Sequence, residues 1–130
     1  MATWRFEQAQ QCLESAKTMI KTEDYKGAAN RSYYCIFHSM RSVLALENVD
    51  FKKHSAVISH FRLNYIKPQI LDKKLSDIIE GLFEIRNASD YDDFYMLSKK
   101  EAAEQVENAE YFMRQIEDYL KSEGVVLNAL

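Results

Sequence analysis

Glycine and proline are scarce in this sequence. Its 130 residues hold three glycines and one proline, Pro68. Strands and tight turns need such punctuation, whereas long helices avoid it. The shortage argues against a β-rich fold and for an all-α one. Cysteine is equally sparse. Cys12 and Cys35 stand alone, without the spacing of a metal or redox motif. Each is expected to pack as a small apolar residue on a helix. No apolar run approaches the ~20 residues that span a bilayer. The first ten residues, MATWRFEQAQ, contain no signal-like apolar segment. No membrane association is expected, and a cytoplasmic, reducing setting is. An excess of basic charge is also lacking. The formal net charge is −3, which argues against a general nucleic-acid coat but leaves room for a local basic site.

What is present describes one soluble domain, residues 1–130. Hydrophobic residues make up 47% and charged residues 28%, an ordinary globular balance. A chain of this length can bury roughly two-thirds of its unfolded surface. No repeat, low-complexity tract or flexible linker divides it. Apolar residues recur at steps of three and four in five segments. The first spans Thr3 to Lys21, with Ala9, Leu13, Ala16 and Ile20. The second follows Asp24, a candidate N-cap, and runs to Leu46 or Glu47. The third carries Val57, Ile58, Phe61 and Tyr65, and must end near Pro68. The fourth starts near Asp72. The fifth opens with the capping box Ser98–Glu101 and runs to Lys121. Each has one apolar stripe and one charged face, so packing stripe on stripe is the expected solution. The predicted fold is an antiparallel up-and-down helical bundle of four long helices plus one short one. Ile36, Phe37, Met40, Ile79, Leu82, Phe112 and Ile116 are the expected core. The tail from Gly124 to Leu130 is apolar and short, either a frayed end or a partner-docking segment.

Three places carry possible chemistry. On the second helix, Arg31, Cys35, His38 and Ser42 follow a line opposite the core, with Tyr34 and Arg41 on its flank. Arginine recognises phosphate or carboxylate, histidine titrates near neutral pH, and tyrosine can stack on a base. A solvated polar face is the plainer reading. Lys52, Lys53 and His54 open the third helix, where cations and free N–H groups suit an anion; an ordinary solvated helix start is again the plainer reading. His54 and His60 are six apart and share no helix face, so neither a metal nor a cofactor is expected.

The third place is EIRNASDYDDFY, residues 84–95. The stripe Leu75–Ile79–Leu82 continues, at the next step of four, to Arg86. The macrodipole favours a cation near a helix end, and Asp90 four residues on could pair with it. Neither explains a guanidinium in line with an apolar stripe. Such a residue must face a cleft, a subunit interface or a buried carboxylate. Tyr91, Asp92 and Asp93 follow.

The ordered strings AANRSYYCIFHSMRSVLAL, KKHSAVISHF and LFEIRNASDYDDF resemble the HEPN family (higher eukaryotes and prokaryotes nucleotide-binding domain), especially its small single-domain prokaryotic members. The likeness covers about residues 4–122. It implies an antiparallel bundle that commonly forms a homodimer. Many such proteins accompany a minimal nucleotidyltransferase, and some pairs act as toxin and antitoxin. Nuclease members carry an arginine, four to six residues, then a histidine, and two copies meet to form one RNA-cutting site. Arg86 matches that arginine, but Tyr91, Asp92 and Asp93 hold the histidine positions. The sequence therefore resembles the RNxxDY variant lacking the nuclease histidine. The aspartates would also repel an RNA phosphate. The expected function is a non-catalytic or degenerate HEPN domain that binds nucleotide, nucleic acid or a partner nucleotidyltransferase. Arg86, Asp90, Tyr91, Arg31, Tyr34 and His38 would form its cleft. One alternative is a metal-independent ribonuclease that pairs Arg86 with a displaced His38 or His54. Another is a purely structural helical adaptor.

Overall fold

A computed structural model describes residues 1–91 and 96–127, and the side chains of all of these except 86–91. Among the described residues the chain is helical and contains no strand. The helices are α1 (Ala2–Lys21), α2 (Tyr25–Ala45), α3 (His54–Phe61), α4 (Lys74–Tyr91) and α5 (Lys99–Ser122). Four are long, at 18 to 24 residues, and α3 has eight. This is the bundle that the apolar periodicity predicts.

The expected start signals operate. The Asp24 carboxylate accepts from the backbone N–H of Gly27 at 2.9 Å, satisfying one of the orphan donors of α2. A Cβ at position 27 would collide with that carboxylate, so glycine keeps the cap open. At α5, Ser98 and Glu101 bond each other's backbone N–H groups in a full capping box. The end of α5 is also specified. Gly124 has φ +86°, which glycine adopts without steric cost. The N–H groups of Gly124 and Val125 return to the carbonyls of Lys121 and Leu120, a Schellman ending. The turn brings Val125 and Leu127 back against the core. The tail is thus tied down at least to Leu127.

A three-residue connection makes α1 and α2 antiparallel neighbours, so Arg5 at the start of α1 meets Asp50 just beyond α2. The packed stripes merge into one core that contains all seven residues expected there. Helix α2 lies at its centre, against α1, α3, α4 and α5. This changes one expectation. Cys35 and Ser42 do not lie on a polar face opposite the core, because both are fully buried. Cys35 lies against the carbonyl of Ala109 on α5. The hydroxyls of Ser32, Ser39 and Ser42 donate to carbonyls three or four residues back in α2. Each is thereby satisfied without water, which lets a central helix carry serines inward.

After Phe61 the helix widens into a π turn, Arg62–Ile66, with the N–H of Lys67 bonding the carbonyl of Arg62 at 2.9 Å. Such turns are rare. This one presents Tyr65, whose hydroxyl donates to Glu47 at 2.6 Å, while His60 meets the same carboxylate at 3.2 Å. Arg62 ties the turn to the Ser76 carbonyl and to Glu80 on α4. The α2–α3 connection, residues 46–53, is therefore held between two anchored helices, and it builds one wall of a cleft.

Candidate functional site

The end of α2 and the start of α3 enclose a cleft of about 420 Å³ lined by Phe37, Arg41, Asp50, Phe51, Lys52 and His54. Helical spacing puts Phe37 and Arg41 on one side of α2, four residues apart. The Arg41 guanidinium lies over the Phe37 ring at 5.6 Å. His54, the first residue of α3, stacks on Phe37 with ring centroids 4.0 Å apart. Its Nδ1 lies 3.0 Å from the Tyr33 hydroxyl. Tyr34 approaches His54 edge-on at 5.9 Å and lies tilted against His38 at 6.1 Å. An aromatic floor thus carries a guanidinium, an imidazole and an ammonium at its rim.

Asp50 closes one end. Its carboxylate accepts from Arg41 Nη2 at 2.7 Å, Arg41 Nε at 3.2 Å, Arg5 Nη2 at 3.2 Å and its neighbour Phe51 N–H at 2.9 Å. The hydrogen bond from Arg41 is the main cause that holds its carboxyl below the usual range. Burial, and then the adjacent Arg41, draw Arg5 below the usual arginine range, and Asp50 opposes this. Two mutually repelling cations are held together by one anion.

His38 is half-buried beside these cations. Its Nδ1 is shielded from solvent and has no hydrogen-bond partner among the described residues. Burial, then Arg41, Arg5 and His54, pull its pKa down from 6.5 to about 4. The imidazole is neutral at pH 7. Between those two values the unfolded chain takes up a proton that the folded chain does not, so stability falls as pH falls through the window. After allowance for partial exposure, the loss should reach about 1–2 kcal/mol. Urea unfolding at pH 7 and pH 4.5 measures it. His38→Gln should reduce the difference by that amount, and an unchanged difference would mean that His38 does not titrate this way.

The other expected site residues are placed as follows. Tyr34, His38 and His54 are brought together around Phe37. Lys52 joins them at the cleft, whereas Lys53 is exposed at the N-cap position of α3 and outside its lining. Arg31 is exposed and lies against the Cys12 thiol of α1, where it partly offsets the rise that burial imposes on that thiol. Arg86, Asp90 and Tyr91 belong to the last part of α4, and their side chains lie outside the described residues, as do Asp92 and Asp93 entirely. Among the described residues, no group of three or more His, Cys, Asp or Glu could hold a metal, and no helix is long and apolar enough to cross a membrane.

Arg5, Asp50 and Phe51 also belong to the site, and no sequence motif marks them. Arg5 opens α1, 36 positions before Arg41, and only the antiparallel α1–α2 pairing brings the two together. The run Asp50-Phe51-Lys52, an aromatic residue between charges in a short interhelical connection, is the one local signal.

The family model of the HEPN domain matches residues 2–119. The chain belongs to the HEPN family. Among its relatives, a UPF0332 protein of Thermotoga maritima is 30% identical over 118 residues, 91% of this chain and 89% of that one. A Methanocaldococcus jannaschii protein named "Putative toxin" is 29% identical, over 92% of this chain and 82% of its own. A second protein of that name from the same organism is 31% identical over 87% and 84%. The crystal structure of an archaeal HEPN homologue superposes with a TM-score of 0.65 at 19% identity, covering 92% of this chain and 98% of that one. At that identity it speaks for the fold, which is the HEPN helical bundle.

Proposed function

We propose that this protein is a dimeric, non-catalytic HEPN domain of the toxin–antitoxin type, which binds a phosphorylated nucleotide or RNA in the α2–α3 cleft. One observation carries the reading: Arg41, Lys52 and His54 line a single cleft walled by Phe37 and Phe51. Cationic donors bind phosphate through charge-assisted hydrogen bonds. The exposed ring of Phe51 offers a face on which a base of any identity can stack. The volume falls within the range of small-ligand sites, about 300–1,000 Å³. The toxin names of two relatives favour the same setting, and a minimal nucleotidyltransferase is the protein partner that the family resemblance implies.

Binding is preferred to catalysis because of the histidines. A general base works best with a pKa near the working pH, and His38 is pulled to about 4. His54 is stacked on Phe37 and engaged by Tyr33, an arrangement suited to a fixed donor in a binding site. Arg86, which matches the family arginine in the sequence, is assigned to dimer formation. Arg86→Ala should therefore shift the protein toward monomer in solution scattering.

The direct test is calorimetric titration with adenosine 5′-monophosphate. Lys52→Ala should weaken binding about fivefold, the value of one solvent-exposed charge pair at contact. Lys53→Ala, one residue away and outside the cleft, should leave it unchanged. Equal losses in both variants would reduce the effect to net charge, and no binding by the parent would reject the reading.

A further inference from the structure

Arg41 and Asp50 line a second cavity as well as the first. It has about 210 Å³ and also contains Met1, Arg5, Ala45 and Val49. Arg41 and Asp50 thus lie where the two cavities meet. Four N–H donors converge on its two oxygens: two from Arg41, one from Arg5 and the backbone N–H of Phe51. Those four donors fill the acceptor sites of the carboxylate, although Asp50 is itself 48% exposed. The arginines are the shielded partners, with side chains only 15% and 19% exposed. Two guanidinium groups so placed repel each other and require an anion between them.

We propose that Arg41 and Arg5, with the Phe51 N–H, form a phosphate subsite that Asp50 fills in the ligand-free protein. This rests on the nucleotide-binding reading above and adds the ligand chemistry: a terminal phosphate monoester, on a free nucleotide or at an RNA end. Such a group offers three oxygens and close to two charges, against two oxygens and one charge for Asp50. It can therefore take over all four donors. Asp50 sits in a connection between helices, not within one, and a change of its side-chain rotamer withdraws the carboxylate while the Phe51 N–H stays in place. The phosphate then lies between the arginines, where the two cavities meet, with the nucleoside against the exposed Phe51 ring. Asp50 acts as a tethered competitor, and a tethered group competes at high effective concentration. It lowers the affinity of every phosphate ligand by the same factor.

Calorimetric titration of the full chain with adenosine 5′-monophosphate tests this, using Asp50→Asn, Arg5→Gln and their combination. Asp50→Asn should raise affinity about tenfold by removing the competing charge. Arg5→Gln placed in that variant should then lower affinity about tenfold, because Arg5 now touches the phosphate. If Asp50 merely repels a ligand held elsewhere in the cleft, Arg5→Gln costs under about threefold in that background, and the subsite is wrong. If Asp50→Asn brings only a lower melting temperature and no gain, Asp50 is a structural clasp and the proposal falls, while Lys52-dependent binding would still uphold the broader reading. If the parent does not bind the nucleotide, both fall together. Adenosine should bind parent and Asp50→Asn alike, and an equal gain for adenosine would overturn the phosphate assignment. A 5′-phosphorylated RNA compared with its 5′-hydroxyl form should show the same dependence on Arg5.

Discussion

Phe37→Ala should lower the unfolding free energy by about 3–5 kcal/mol, the usual cost of emptying a buried aromatic site. Phe37 is 3% exposed. Its ring meets Tyr33, Tyr34, His38 and His54, and carries Arg41 above it. Truncation would remove dispersion contacts on every side, and the neighbours sit on helices fixed elsewhere, so the gap can close only in part. Phe37→Leu keeps most of the volume and should cost less, about 1.5 kcal/mol or under if neighbours repack. The two variants separate core filling from ring stacking. Phe37→Leu should stay folded yet loosen His54 and weaken nucleotide binding. Urea denaturation gives the stabilities. A loss below 1 kcal/mol for Phe37→Ala would mean that the inward face of α2 has been misassigned, against the estimate for a filled aromatic site.

The helices were legible because their signals are local. Asp24 and the Ser98–Glu101 box specify starts within four residues. The recurrence of Leu75, Ile79 and Leu82, or of Phe112 and Ile116, marks an inward stripe without any tertiary knowledge. Two things were not legible. A helical wheel cannot tell whether a second stripe faces water or another helix. Cys35 and Ser42 look polar enough for solvent, yet α5 and the self-satisfied hydroxyls make their burial tolerable. Nor does sequence spacing show an ion cluster formed across the bundle. Arg5 and Asp50 are 45 residues apart in the chain, and their meeting depends on the α1–α2 alignment and on the path of residues 46–53.

The same distinction applies to the candidate site. His54 and Lys52 were recognisable as a cationic helix start, which is a local pattern. Their use depends on Phe37 and Arg41, which approach them only because α3 packs against α2. Phe37 reads in the sequence as a core residue, and it is one. It is also the floor of the cleft. A single side chain thereby couples fold stability to the shape of the site, which periodicity alone cannot announce.

Arg41 is the residue on which the site turns, and its replacement should have the largest effect on binding. It lines both cavities, lies over Phe37 and makes a two-pronged contact with Asp50. Hydrogen bonds to charged groups are worth about 1.5–3 kcal/mol each, so Arg41→Ala, by removing at least one such bond to the phosphate, should weaken adenosine 5′-monophosphate binding by about 10- to 150-fold or more. Arg41→Lys keeps the charge but not the planar fork, and a lysine cannot bond two oxygens in parallel. It should recover less than half of the lost binding free energy. Stability should change little, by about 1 kcal/mol or less, because the Asp50 pair is partly solvated and the remaining term is one cation–π contact. Large binding loss with small stability loss is the pattern of a ligand-contacting residue. If Arg41→Lys binds as well as the parent, only charge matters there and the fork geometry is irrelevant. If Arg41→Ala unfolds the protein, Arg41 is chiefly the bracket that holds residues 46–53 against α1 and α2, and the binding role must be read from Lys52 and His54 instead.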